Sequence, residues 1–138
     1  MIKSRLYHGR MIQLTNSEKK SVVATVRNHK IVSDVGASLG SDDLGMTPHE
    51  ILEVALASCT SITVQMYARR KNIQLQDMKV EVRTISEGAE SVIARKIQFI
   101  GVISDDEKKK LLEIADKCPI HRLLQSQITI NTEQSESL

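Results

Sequence analysis

A chain of 138 residues is long enough to bury the core of one domain without covalent staples, and two cysteines are too few for a disulfide framework. Its 19 basic and 17 acidic residues leave a formal charge of +2. The basic clusters Arg69-Arg70-Lys71 and Lys108-Lys109-Lys110 fall on expected helices without an aromatic stacking platform, so they read as solvated helix faces and no nucleic-acid partner is expected. Met1-Ile2-Lys3-Ser4-Arg5 lacks the apolar stretch of a signal peptide, and the longest mainly apolar run, Ile51 to Ala57, contains Glu53 and falls far short of the ~20 residues that span a bilayer. The expectation is a single cytoplasmic domain over residues 1–138, with no membrane association, whose thiols stay reduced unless they are working.

Three short strands open the chain: Arg10 to Thr15, Ser21 to Arg27 and Lys30 to Val35, rich in Val, Ile and Thr and separated by turn residues. Gly36 to Thr47 then forms a long loop, a length that in a compact domain is functional or mobile. At Thr47 the period changes. Thr47 suits a helix N-cap, Pro48 the first helical position, and Glu50, three residues on, completes a capping box. Leu52, Ala55, Leu56, Cys59, Ile62, Thr63 and Met66 recur at helical spacing, which predicts a long central helix to about Lys71 with this stripe inward.

Met78 to Ile85 and Lys96 to Ile103 alternate with period two around Glu87-Gly88-Ala89-Glu90, the pattern of a hairpin. Ser104 and Glu107 form a second capping box, ahead of a helix with Leu111, Leu112 and Ala115 inside. Pro119 disfavours helical geometry at Cys118 and opens a short helix to about Gln125. Ile128 to Thr132 alternates as a final strand, and residues 133–138 form a polar tail. The fold class is α+β.

The two cysteines are the chemical handle. In a reducing compartment they form a redox couple, part of a metal site, or two inert core thiols. Cys59 lies in an apolar stripe, where packing explains a thiol by itself. Cys118, at the N-cap of the helix that Pro119 opens, faces unpaired N–H groups, with His121 and Arg122 nearby, a setting that stabilises a thiolate. Cys118-x-x-His121 with Cys59, and His8, His29 or His49 as a fourth ligand, lacks the second close-spaced pair of a structural zinc site, so no metal is expected.

Thr47-Pro48-His49-Glu50-Ile51-Leu52, then Ala55-Leu56-Ala57-Ser58-Cys59-Thr60, and later Ala115-Asp116-Lys117-Cys118-Pro119-Ile120-His121-Arg122, together resemble the OsmC/Ohr family of osmotically inducible and organic hydroperoxide resistance proteins, in its broad OsmC-like branch. The resemblance extends over nearly the whole chain. It implies an intertwined homodimer packed about long central helices, active sites at the subunit interface, and thiol-dependent reduction of organic hydroperoxides without metal or flavin. It assigns first attack to Cys59, which becomes a sulfenic acid; Cys118 then resolves this as a disulfide, and an external dithiol reduces the disulfide. Glu50 matches the family's acidic residue that holds an arginine over the attacking thiol. Arg10, in Tyr7-His8-Gly9-Arg10, is the nearest candidate for that arginine, with Arg27 second.

On a straight helix Glu50 and Cys59 lie ~13.5 Å apart along the axis and about 180° apart around it, so Glu50 is expected to reach the Cys59 of a second copy. Two other readings use the same residues: a dimeric stress or binding protein with unreactive thiols, and a slow thiol redox sensor.

Overall fold

A computed structural model describes residues 12–16 and 20–136. The described elements are strands β1 (Gln13–Asn16), β2 (Val22–Val26) and β3 (His29–Ser33), a single 3-10 turn (Ala37–Leu39), helix α1 (Pro48–Arg70), strands β4 (Gln74–Ser86) and β5 (Val92–Val102), and helices α2 (Asp105–Ala115) and α3 (Pro119–Leu124). The architecture is α+β, with two separate antiparallel sheets, β1-β2-β3 and β4-β5. The chain divides into two compact units, one ending at Leu52 and the other beginning at Glu53.

In the first unit, β2 pairs with both neighbours, Thr25 opposite Gln13 and Val23 opposite Val32. The 36–47 loop is held to this sheet rather than hanging free. Met46 bridges to Ser33, and the buried Asp34 carboxylate accepts the backbone N–H groups of Val35 (2.7 Å) and Leu44 (3.0 Å). Gly45 is a steric requirement of that fit, since a Cβ there would stand 2.2 Å from the Val32 carbonyl oxygen.

The second unit holds the larger core. Val64 and Ala68 of α1 pack with Met78 of β4, Ile103, and Leu111, Ile114 and Ala115 of α2; Tyr67, Val80, Ile97 and Phe99 close its edges. The hairpin is longer than its alternating segments indicate, because β4 continues through bulges at Leu75/Asp77 and Thr84/Ser86. One of these bulges meets α1: the Thr84 N–H donates to Glu53 Oε1 at 2.7 Å. α1 ends where Asn72 adopts φ 55 and the Ile73 N–H turns back to the Ala68 carbonyl at 2.9 Å, an arrangement to which asparagine adapts readily.

Two expectations need correction. The inward face of α1 is Leu56, Thr60, Val64 and Ala68, whereas Leu52, Ile62 and Met66 of the expected stripe are exposed. The helix is apolar around most of its circumference, so spacing alone does not choose a face. The final strand, Ile128 to Thr132, is not formed: this stretch has no regular secondary structure, and Ile130 is 84% exposed. A strand is defined by its neighbour, and no described strand of the chain lies alongside this one.

Candidate active site

α1 presents Cys59 and Thr60 in succession, turned ~100° from each other. Thr60 points into the second unit and is fully enclosed; its hydroxyl donates to the Leu56 carbonyl at 2.7 Å. Cys59 stands beside it, half-buried.

α2 delivers the second thiol. Its last turn tightens as the Lys117 N–H bonds to Ile114 and the Cys118 N–H to Ala115, and Pro119 then starts α3. Cys118 is the N-cap of α3, with φ −62 and ψ 141, and its Sγ accepts the His121 N–H at 3.2 Å. Cys118 is completely buried, with Sγ 3.8 Å from Thr60 Oγ1. The turn therefore packs directly on the central helix.

The two thiols meet there as free cysteines. Burial pushes the Cys59 thiol up from its ordinary range; the Ile120 N–H opposes this, the adjoining Cys118 thiol adds to it, and the Thr63 hydroxyl opposes it weakly. In a single chain Cys59 thus favours its protonated form.

A charged side chain that the motifs do not single out organises the region. Arg95 of β5 is 12% exposed, and its Nη1 donates to Thr60 Oγ1 at 2.9 Å and to the Ala115 carbonyl at 3.3 Å, while Nη2 donates to Asp116 Oδ1 at 2.6 Å. The guanidinium sits at the C-terminal end of α2, where a cation complements the helix dipole. Its signal in the sequence is parity: Arg95 shares the face of Ile93, Ile97 and Phe99, and a charge on the apolar face of a strand calls for a partner. His121 is half-buried, with Nδ1 3.9 Å from Asp116 Oδ1.

Glu50 forms the expected capping box, its Oε2 accepting the Thr47 N–H at 2.7 Å while its own N–H donates to Thr47 Oγ1 at 3.3 Å. It is exposed at the start of the continuous helix that carries Cys59. Arg10 and His8 lie outside the described residues. Arg27 occupies the exposed β2–β3 turn with φ 56. Among the described residues no group of three or more His, Cys, Asp and Glu is placed to hold a metal ion.

Residues 40–133 match the family model described as OsmC-like protein. No curated protein sequence matches the chain. Among solved structures, the chain is similar to a putative osmotic stress induced and detoxification response protein from Psychrobacter arcticus, at 19% identity over 86% of this chain and 90% of that one, with a TM-score of 0.72. An OsmC-like protein from Mycoplasma pneumoniae is similar at 22% identity over 84% and 86%, with a TM-score of 0.71. A third, from Legionella pneumophila, is named an organic hydroperoxide resistance protein OsmC and is similar at 18% identity over 87% and 90%, with a TM-score of 0.63. At these identities the likeness is one of fold.

Proposed function

The chain belongs to the OsmC-like protein family, and from that premise we propose that it is a thiol-dependent peroxidase that reduces organic hydroperoxides to alcohols. Family membership supports a role in redox stress. The observation that carries the finer reading is the enclosed Cys118 thiol held against Cys59 at the centre of α1.

In this reading the Cys59 thiolate attacks the terminal oxygen of the hydroperoxide and the O–O bond breaks. The departing alkoxide takes a proton and leaves as the alcohol. The Cys118 thiol then attacks the sulfenic sulfur of Cys59: the S–S bond forms, the S–O bond breaks, and water leaves with the thiol proton. An external dithiol restores both thiols by exchange. No metal or flavin enters these steps.

The raised Cys59 thiol makes activation the central requirement. We assign it to Arg10, oriented by Glu50, across a homodimer in which Glu50 of one copy faces Cys59 of the other. The exposed apolar positions of α1, Leu52, Val54, Ile62 and Met66, suit such a pairing of central helices. The protein acts as one functional domain in the cytoplasm.

The raised Cys59 thiol also favours a second reading, a slow redox sensor that uses the same pair. Stopped-flow reduction of cumene hydroperoxide by the pre-reduced protein separates the two. The expected result is a fast first step that Cys59→Ser abolishes, while Cys118→Ser keeps that step and accumulates a sulfenic acid trappable by dimedone. A wild-type protein that reacts no faster than free cysteine would overturn the peroxidase reading.

A further inference from the structure

We propose that Arg95 is the positioning residue for the Cys118 thiol, an inference that rests on the two-cysteine reading above. Arg95 grips the Cys118 turn at both ends. The Ala115 carbonyl that Nη1 holds is the one that accepts the Cys118 N–H at 3.3 Å, and the Thr60 oxygen that Nη1 also holds is the one 3.8 Å from the Cys118 sulfur. A single guanidinium therefore fixes the backbone and the sulfur environment of one cysteine from a different element, β5.

The hydrogen-bond directions add a second point. The Thr60 proton is committed to the Leu56 carbonyl and one lone pair to Arg95, which leaves the remaining lone pair to accept from the Cys118 S–H. The His121 N–H meets the same sulfur from the α3 side. With its proton held toward Thr60, the sulfur is constrained before any oxidation occurs.

Such constraint matters because a disulfide tolerates only a narrow range of Cα separations and Cβ directions, and a misplacement of ~1 Å in a reacting group can cost about a hundred-fold in rate. Burying a guanidinium is costly unless its donors find partners, and here three of its five N–H groups bond to Thr60, Ala115 and Asp116. Asp116 is 65% exposed, so the ion pair itself adds little stability and its geometric role predominates.

The test compares Arg95→Met, Arg95→Lys and Thr60→Val with the wild type in two measurements. The first is the equilibrium between dithiol and disulfide in glutathione redox buffers, read by intact mass, which needs no peroxide and so decides the role of Arg95 even if the peroxidase reading fails. Arg95→Met is expected to lower the effective concentration of the Cys59–Cys118 pair by at least about ten-fold, with Arg95→Lys recovering part of it.

The second adds one equivalent of cumene hydroperoxide and follows sulfenic acid formation and disulfide closure separately. Closure is expected to slow by a similar factor in Arg95→Met and Thr60→Val, with dimedone-trappable sulfenic acid accumulating while its formation changes less than about two-fold. A folded Arg95→Met protein with an unchanged redox equilibrium would overturn the proposal, as would equal loss of both steps. If Arg95→Met does not fold, Thr60→Val decides, and an unchanged closure rate in that variant overturns it.

Discussion

The surroundings of Cys118 and of Cys59 differ in how much the chain itself supplies. Cys118 is fully enclosed, with its N–H, its sulfur and the neighbouring carbonyl all bonded to residues of the same chain. Cys59 lies one residue from the enclosed Thr60, yet it is half-buried, and burial, with the neighbouring Cys118 thiol, favours its protonated form. In the proposed reading, the resolving half of the chemistry is prepared within one chain, and the attacking half is completed by charge from a second copy. A sulfur that must meet substrate needs an open side, whereas a sulfur that meets only another sulfur can be sealed.

Accessibility gives the largest expected contrast. In the native protein iodoacetamide should modify Cys59 at least about a hundred times faster than Cys118, with the two rates converging in denaturant. Peptide mapping after a timed pulse measures this, and equal native rates would break the comparison. Replacing Arg10 by methionine sharpens it from the other side. In the proposed reading this removes the cation that favours the Cys59 thiolate, so the midpoint of Cys59 alkylation against pH should move upward, above that of an ordinary thiol because burial remains, and the peroxide rate at pH 7 should fall about ten-fold or more.

Packing gives the next contrast. Leu111, wholly buried in the core of the second unit, should cost about 2–5 kcal/mol when changed to alanine, measured by urea denaturation. Met66, 67% exposed on α1, should leave the chain's own fold intact when changed to serine but weaken the proposed homodimer by about ten-fold or more, measured by analytical ultracentrifugation.

The smallest effect belongs to a control away from both thiols. Ser104→Ala removes the hydroxyl that caps α2 and should cost about 1 kcal/mol without altering either thiol rate. The Ser104 N–H and hydroxyl hold the Glu107 carboxyl below its usual range. That contribution is present above the ordinary glutamate pKa and is lost as the pH falls through the depressed one. The acid limb of the stability curve should therefore flatten in Glu107→Gln, as thermal melting between pH 3 and about 6 would reveal.

Features set by adjacent residues were the most legible in the sequence. Cys118-Pro119 placed an N-cap, Thr47-Pro48-His49-Glu50 a helix start, and the alternation flanking Gly88 a hairpin. Features set by distant partners were not. Val64 and Ala68 face inward because residues of α2 and β4 cover them, and Thr60 because Arg95 and Cys118 meet it; an apolar helix carries no local mark of that choice. Ile128 to Thr132 has the composition of a strand but no neighbour within the described chain. Arg95 announces itself only through the parity of β5, and its partners, Thr60, Ala115 and Asp116, lie 20 or more residues away in sequence.

Helix α1 has the length and apolar character of a bilayer-crossing segment, and within a single chain only 22% of that stretch is buried. In the homodimer proposed above, association covers apolar surface of α1 that a lone copy leaves in water, which makes the lone copy the expensive species. On that proposal the melting temperature rises with protein concentration, and a freshly synthesised chain depends on meeting a second copy before other apolar surfaces capture that helix.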